Sequence, residues 1–213
     1  MVVHNPTTFG RRVIEDPPIA RFLFSDVRMS WVWLLLRLWL GYEWLEAGLH
    51  KISDPAWVNG GVALQGFWTG AIQTPAEGRT PIAFGWYREF ISFMLEREWY
   101  IWFAPLVAWG EVIIGVALIV GAFVGVAALF GALLNWNFIM AGAASTNGLL
   151  LVVAILLVLA WKTAGYLGAD YILLRWLGVP WKGRSAEEGT VPGQIAHDFR
   201  LKAATMTNER VKL

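Results

Sequence analysis

Residues 102–142 read WFAPLVAWGEVIIGVALIVGAFVGVAALFGALLNWNFIMAG, and this stretch decides the fold class. It holds two apolar runs, at about 102–120 and 123–142, and each is long enough to cross a lipid bilayer as a helix of about 20 residues. Only Gly121–Gly125 separates them, which predicts a tight helical hairpin. Further apolar runs at about 31–49 and 149–167 bring the predicted number of membrane spans to four.

The composition of the whole chain is typical of a membrane protein. Of its 213 residues, 57% are hydrophobic and only 15% are charged, and the mean hydropathy is +0.51. About a quarter of the residues of an average globular protein are charged. We therefore predict an all-α integral membrane four-helix bundle, with one long extracytoplasmic loop between spans 1 and 2. The net charge of +1 gives no indication of nucleic-acid binding.

The predicted organisation has three parts: an interfacial N-terminal segment (1–30), a four-span membrane domain (31–172) and a polar C-terminal tail (173–213). An even number of spans places both termini on one side. The N-terminal segment has four arginines and residues 162–213 have eight Lys or Arg, against four in the long loop 51–99. The positive-inside rule then predicts cytoplasmic termini in the cell (inner) membrane.

Several cofactors are excluded by residue type. The chain has no cysteine, so it forms no disulfide, no thiolate-bound iron–sulfur cluster and no covalently attached haem. Of its three histidines only His50 lies at the edge of a span, which argues against a bis-histidine haem within one copy. Glu43, Glu46 and His50 could each ligate a metal ion from one helix face, but we predict no metal site, because the Glu-x-x-His pairs of di-iron bundles do not occur.

The first predicted span has an unusual number of ionisable side chains: Arg37, Glu43, Glu46 and His50. At about 100° per residue, the last three fall within an arc of roughly 60° on one helix face, so this stripe cannot face lipid. One interpretation is a proton-handling or redox site, with Glu46 and His50 as catalytic residues. The other is structural, with the glutamates satisfying Arg37 or a neighbouring helix while His50 marks the interface.

Glu111 is the only charged residue of the second span, and a lone acid in a membrane requires a partner. Arg37, His50 and Lys51 are the candidates. We predict a catalytic role for Glu111 as well. We also predict that Glu46, His50, Glu111 and Asn147 face one shared cavity that opens toward the outer side.

The third span and the turn after it are rich in amides and hydroxyls, at Asn135, Asn137, Ser145 and Asn147. Such side chains commonly join helices to one another in membranes. Their density here, beside two glycines, instead favours a polar pocket for a small ligand.

Four motifs contain these residues in order along the chain. They are Arg37-x3-Gly41-x6-Gly48-x2-Lys51, Gly110-Glu111-x3-Gly115-x2-Leu118-x2-Gly121, Asn135-x-Asn137-Phe138-x2-Ala141-Gly142-x2-Ser145-x-Asn147, and Gly165-Tyr166-Leu167-Gly168-x-Asp170. Together they resemble the DoxX/DoxD family of four-helix membrane proteins over about residues 30–172. The third motif is most similar to members related to the membrane subunit of thiosulfate:quinone oxidoreductase.

The resemblance implies a four-helix bundle and, in the thiosulfate-oxidising members, transfer of two electrons from thiosulfate to membrane quinone, which gives tetrathionate. It also implies a second, smaller subunit. The motif positions that it carries over are Arg37, Lys51, Glu111, Asn137, Ser145, Asn147 and Asp170. Thiosulfate is a dianion, and its site requires convergent positive charge and amide donors. We therefore predict that the substrate is bound by Arg37, Lys51, Asn137, Ser145 and Asn147, with help from the loop arginines Arg79 and Arg88.

Two functions of different classes follow as hypotheses. The first is a membrane oxidoreductase, or its membrane subunit, that passes electrons from a small sulfur donor such as thiosulfate to quinone as co-substrate. The second is a non-catalytic subunit that anchors a larger membrane complex. A small transporter is the weakest alternative, because four spans without a discontinuous repeat pair leave little room for alternating access unless the chain forms a homo-oligomer.

Overall fold

The computed structural model describes residues 16–74 and 80–177, and every regular element in these two ranges is a helix. The helices are α1 (Pro18–Ser25), α2 (Ser30–Ser53), α3 (Pro55–Val58), α4 (Val62–Ile72), α5 (Gly85–Glu96), α6 (Tyr100–Val120), α7 (Val124–Met140), α8 (Asn147–Leu159), α9 (Trp161–Ala164) and α10 (Asp170–Trp176). A 3-10 turn at Val27–Met29 connects α1 to α2. The prediction of an all-α protein is confirmed for these residues.

The chain divides into a compact unit of residues 1–174 and a second unit, Arg175–Leu213. The structure describes only residues 175–177 of the second unit. Residues 178–213 of the predicted C-terminal tail (173–213) and residues 1–15 of the predicted N-terminal segment (1–30) lie outside the described residues.

Helix α6 is the one helix of the described ranges that is both long and apolar enough to cross a membrane, at 21 residues. The apolar helices α7 and α8 are shorter, with 17 and 13 residues. Helix α2 has 24 residues, but Arg37, Glu43 and Glu46 interrupt its apolar surface. By length and composition, one of the four predicted spans is thus directly supported.

The fourth predicted span, 149–167, is not one continuous helix. Helix α8 ends at Leu159, and the short α9 follows after Ala160. The Thr163 hydroxyl lies 3.0 Å from the carbonyl oxygens of both Ala160 and Phe24. Side-chain bonds of this kind compete with the regular hydrogen bonds of a helix and bend it, and here they also attach α1 to the end of the bundle.

Glycines bring α2 and α6 into direct backbone contact. A Cβ added at Gly48 would lie 2.7 Å from the Val112 nitrogen, and one at Gly115 would lie 2.6 Å from the Leu45 nitrogen. The register is antiparallel, because Gly41 contacts Leu118 and Ile119 whereas Gly48 contacts Ala108 and Val112. The last turns of α2 therefore lie beside the middle of α6.

The segment between α2 and α6, which was predicted as one long loop, is folded into helices. It contains α3, α4 and α5, and these helices share a hydrophobic core with Tyr100 and Ala104 of α6 and with Ala141. The buried residues follow helical spacing: Leu64 and Trp68 on α4, and Tyr87, Ile91 and Met94 on α5. This periodicity is present in the sequence, but the many Gly, Trp and acidic residues of the segment obscure it.

Candidate functional site

The central feature of the site is an ion pair between Glu111 on α6 and Lys51 on α2. The Lys51 Nζ donates to Glu111 Oε2 over 2.6 Å, and the glutamate is fully buried. The close approach of Gly48 to α6 brings the last turn of α2 to the level of Glu111. Lys51 is one of the three partners predicted for Glu111, and the structure confirms it. Lys51 thus belongs to α2 and not to the loop after it.

A cavity of about 320 Å³ surrounds this ion pair. Its lining combines the pair with three other polar side chains, Glu43, Thr146 and Asn147, and with four aromatic rings: Trp44, Trp57, Phe67 and Phe138. We call it the Glu111 pocket. The Lys51 ammonium lies 5.2 Å from the Trp57 ring centroid and 5.9 Å from that of Phe138. Both distances allow cation–π attraction, which helps to hold the ammonium beside the aromatic wall.

Two polar atoms of the pocket residues have no hydrogen-bond partner within the part of the chain that the structure describes. They are Glu111 Oε1 and Trp44 Nε1, and both are buried. Trp44 Nε1 lies against Gly131 of α7. Buried polar atoms almost always have partners, so the unpartnered Glu111 Oε1 beside a cavity indicates a site for a ligand or for water. Glu111 offers an acceptor to such a ligand, and Lys51 offers a donor.

Glu46 and His50 do not belong to this pocket, which corrects the prediction of one shared cavity. Both are exposed, and they line a separate shallow depression on the outer side of α2 with Tyr42, Leu49 and Ser53. The reason is rotation about the helix axis: α2 turns Gly48 and Lys51 toward α6 and so turns Glu46 away. Glu43 was predicted on the same stripe, yet it is half-buried and faces the Glu111 pocket.

The amide and hydroxyl residues also separate into different places. Asn147 lines the Glu111 pocket, where its Nδ2 donates to the Ala143 carbonyl over 2.7 Å. Asn137 instead accepts a 3.0 Å hydrogen bond from the Tyr87 hydroxyl, which connects α7 to α5. Ser145 is exposed in the turn before α8, with a φ of 28°. Asn135 is fully buried in α7, and neither of its amide atoms has a partner among the described residues.

Arg37 lies far from the pocket, in contrast to its predicted place among the substrate-binding residues. It precedes Lys51 by 14 residues, or about 21 Å along the helix. Its guanidinium is buried and donates to the Ala164 and Leu167 carbonyls at 3.3 and 3.2 Å. These acceptors follow α8 in the chain, so Arg37 joins α2 to the end of α9 and the turn after it.

Asp170 belongs to the same buried cluster as Arg37. Its carboxylate accepts hydrogen bonds from the backbone N–H groups of Phe123 at 2.6 Å and Val124 at 2.9 Å. It thereby caps the first turn of α7, where the helix dipole favours negative charge. Burial raises the pKa of Asp170, while these hydrogen bonds and the charge of Arg37 act in the opposite direction.

Sequence reasoning missed the aromatic wall of the pocket, although one signal for it exists. Arg37, Trp44 and Lys51 are spaced by seven residues and so share one face of α2.

Arg88, one of the predicted loop arginines, donates to the Ile82 carbonyl within its own segment. The other, Arg79, lies outside the described residues. Among the described residues, no group of three or more His, Asp or Glu side chains is placed to hold a metal ion.

Comparison with known proteins gives no match: no family model, no curated protein and no solved structure matches this chain. The resemblance to the DoxX/DoxD family therefore rests on the sequence motifs and stays a prediction.

Proposed function

We propose that this chain is a multi-pass protein of the cell membrane, in which α2, α6, α7 and the α8–α9 segment cross the bilayer. The distribution of polarity supports this proposal. Large apolar side chains point outward on all four: Leu35, Ile113, Phe130 and Val152 are 67%, 64%, 55% and 54% exposed. Polar residues, among them Arg37, Glu111 and Asn135, are buried inside. A protein in water hides apolar surface of this extent, whereas lipid accepts it.

In this arrangement α3, α4 and α5 lie on the extracytoplasmic side and both termini are cytoplasmic. The distribution of Lys and Arg in the sequence supports the orientation. The Glu111 pocket then faces the outer half of the membrane, because the α2–α3 connection is next to it.

Within this setting we propose that the chain is the membrane subunit of a quinone-linked oxidoreductase, and that the Glu111 pocket receives the quinone ring. The observation that carries the proposal is the pair of half-buried Lys51 and fully buried Glu111, with one carboxylate oxygen that has no partner among the described residues, beside aromatic side chains in a cavity of about 320 Å³. That volume is typical of a small-ligand site. Bound there, a quinone supplies a two-electron, two-proton acceptor.

The pocket residues suit this ligand in three respects. Trp57, Phe67 and Phe138 offer flat apolar surface to a ring. The Lys51 ammonium is able to donate a hydrogen bond to a carbonyl oxygen. Glu111 Oε1 accepts a hydrogen bond from a hydroxyl, so the carboxyl group is placed to exchange a proton with the ligand.

The charges of the pocket make it a poorer site for thiosulfate itself. One ammonium, on Lys51, faces two carboxyl groups, on Glu43 and Glu111. A dianion requires convergent positive charge, which this lining does not provide. If thiosulfate is the electron donor, as the family resemblance implies, two thiosulfate ions give up one electron each at another site, such as a partner subunit.

The proposal is tested by quinone reduction with thiosulfate in membranes that contain the chain and any subunit purified with it. Glu111→Gln removes the proton-exchanging group and keeps its shape, so turnover is expected to fall by about a hundredfold. Glu96→Gln is the matched control, because Glu96 is exposed at the end of α5, outside the pocket. Unchanged turnover in Glu111→Gln, at equal amounts of membrane-bound protein, would refute the proposal.

The second candidate is a non-catalytic anchor subunit of a larger complex. It is favoured by exposed aromatic residues on and beside α5, where Phe84, Trp86 and Phe90 are 53%, 58% and 45% exposed. Such a surface suits a docked protein. This function predicts stoichiometric partners on purification in mild detergent and no quinone bound to the isolated chain.

A further inference from the structure

Helix α5 has three distinct faces. One face is buried in the hydrophobic core that α5 shares with α4 and α6. The exposed surface carries two separate stripes, whose centres differ by roughly 80° at 100° of rotation per residue. The first stripe consists of Trp86, Phe90 and Phe93, and we call it the α5 aromatic stripe. The second consists of Glu89 and Glu96, which are also exposed, so the aromatic and the acidic side chains of α5 point in different directions.

Helix α5 lies at the level where α6 begins and α7 ends. On its buried face, the Tyr87 hydroxyl donates to Asn137 in the last turn of α7. Tyr100 and Ala104, in the first two turns of α6, belong to the same hydrophobic core as α5. In the membrane arrangement proposed above, this is the level at which α6 and α7 leave the bilayer on its outer side.

Ring contacts connect the α5 aromatic stripe at both ends to outward-facing tryptophans of α6 and α7. At one end, a single tyrosine ring lies between Trp86 and Trp136 of α7, with centroid distances of 5.5 and 6.2 Å. At the other end, the Phe93 ring lies 5.5 Å from Trp99, which lies 5.8 Å from Trp102 of α6. Trp136 and Trp102 are exposed on surfaces that face lipid in the proposed arrangement. The stripe is therefore continuous with the lipid-facing surface on both sides.

We propose that α5 lies on the outer surface of the bilayer, with the α5 aromatic stripe in the boundary between lipid headgroups and acyl chains. The proposal rests on the membrane arrangement proposed above but not on quinone binding. Aromatic rings concentrate at this boundary, and an amphipathic helix with an aromatic face binds there. The acidic stripe then faces water. Arg97, whose guanidinium carbon lies 4.5 Å from the Phe93 ring centroid, extends from the same face toward the headgroups.

A docked protein is the alternative occupant of this surface, as the anchor function would require. Continuity with the two tryptophans favours lipid over protein. A protein that covered the whole stripe would meet lipid-facing surface at both ends and would have to displace lipid there. Lipid covers the stripe without any such exchange.

The absence of cysteine from the sequence makes a direct test practical, because any introduced cysteine is the only thiol. Phe90→Cys places a bimane label on the aromatic stripe, and Glu89→Cys on the acidic stripe is the matched control. The full chain is reconstituted in phosphatidylcholine vesicles with brominated acyl chains, or in plain vesicles with iodide on both sides of the membrane. Brominated lipid is expected to quench the label of Phe90→Cys about twofold more than that of Glu89→Cys, and iodide is expected to do the reverse.

Two further variants keep the result interpretable. Trp86→Cys repeats the measurement one turn earlier on the stripe, at another exposed position. Leu129→Cys on α7 is the positive control for the membrane arrangement, because Leu129 is exposed on a helix that is proposed to cross the bilayer. Its label is expected to be quenched by brominated lipid and not by iodide.

Three results would overturn the proposal, and they have different meanings. Iodide quenching of Phe90→Cys and Trp86→Cys, with lipid quenching of Leu129→Cys, would place α5 in water and leave the membrane arrangement standing. Protection of both stripe labels from both quenchers would show that protein covers the stripe. Absence of lipid quenching at Leu129→Cys would refute the membrane arrangement itself, and the interfacial position of α5 with it.

Discussion

At the scale of single residues, the most consequential contact is the one between Lys51 and Glu111. The glutamate is fully buried, and the lysine is the one cation that contacts it among the described residues. Burying a charge is unfavourable, and removing one member of such a pair leaves the other without compensation. If either residue is present, the folded protein therefore needs the other for its stability. Replacing both residues with apolar ones of similar size would also be compatible with the fold.

We predict that Lys51→Met destabilises the folded protein by about 3–5 kcal/mol, because Glu111 then loses its counter-charge. The double variant Lys51→Met/Glu111→Leu should recover most of this loss. Thermal unfolding in detergent, compared across the four members of the double-mutant cycle, measures the coupling. A double variant as unstable as the sum of the single variants would contradict it.

At the scale of helices, the contact between α2 and α6 decides which side chains reach the pocket. Glycines make this contact, so the two backbones touch with no side chain between them. The close approach determines both the height of α2 along α6 and its rotation. Lys51 is thereby turned inward and Glu46 outward.

We predict that Gly48→Ala lowers stability and weakens the pocket, because the new Cβ would lie 2.7 Å from the Val112 nitrogen and force the helices apart. Gly110→Ala is the control, since a Cβ there meets nothing within 4 Å. Alanine is favoured over glycine within a helix by about 1 kcal/mol, so the control should be neutral or slightly stabilising. Melting temperatures and ligand-induced quenching of tryptophan fluorescence measure the two effects. Equal behaviour of the two variants would show that the contact does not depend on Gly48.

At the scale of the whole molecule, two buried polar sites lie at opposite ends of α2. The Arg37–Asp170 cluster connects α2, α7 and the residues after α8, and its hydrogen bonds are to the protein itself. Each site has one buried atom without a partner among the described residues, Arg37 Nε and Glu111 Oε1, but the Glu111 atom lies at a cavity of about 320 Å³. The first therefore has the character of a structural connection and the second that of a binding site.

We predict that a single cysteine introduced in α5 and one introduced before α2 lie on opposite sides of the membrane. Glu96→Cys should react with a membrane-impermeant maleimide in intact cells, whereas Arg28→Cys should react only after permeabilisation. Both side chains are exposed, so their reactivity reports location rather than burial. Labelling of Arg28→Cys but not Glu96→Cys in intact cells would show that the orientation is the reverse of the proposed one. Labelling of both would show that no bilayer separates these two residues.

The sequence by itself determined the helical class and the connection of α6 to α7 at Gly121, because hydropathy and glycine conformation act locally along the chain. It also indicated that Glu111 needs a cationic or hydrogen-bonding partner, since that follows from one charge in an apolar run. The distance of Arg37 from the pocket follows from the 14 residues of helix that separate it from Lys51. Only the tertiary structure decided that the partner is Lys51 and that Glu46 faces outward. Each of these depends on how α2 is rotated about its axis and how high it lies along α6. The contacts of Gly48 and Gly115 with the neighbouring backbone determine both, and no local sequence pattern encodes them.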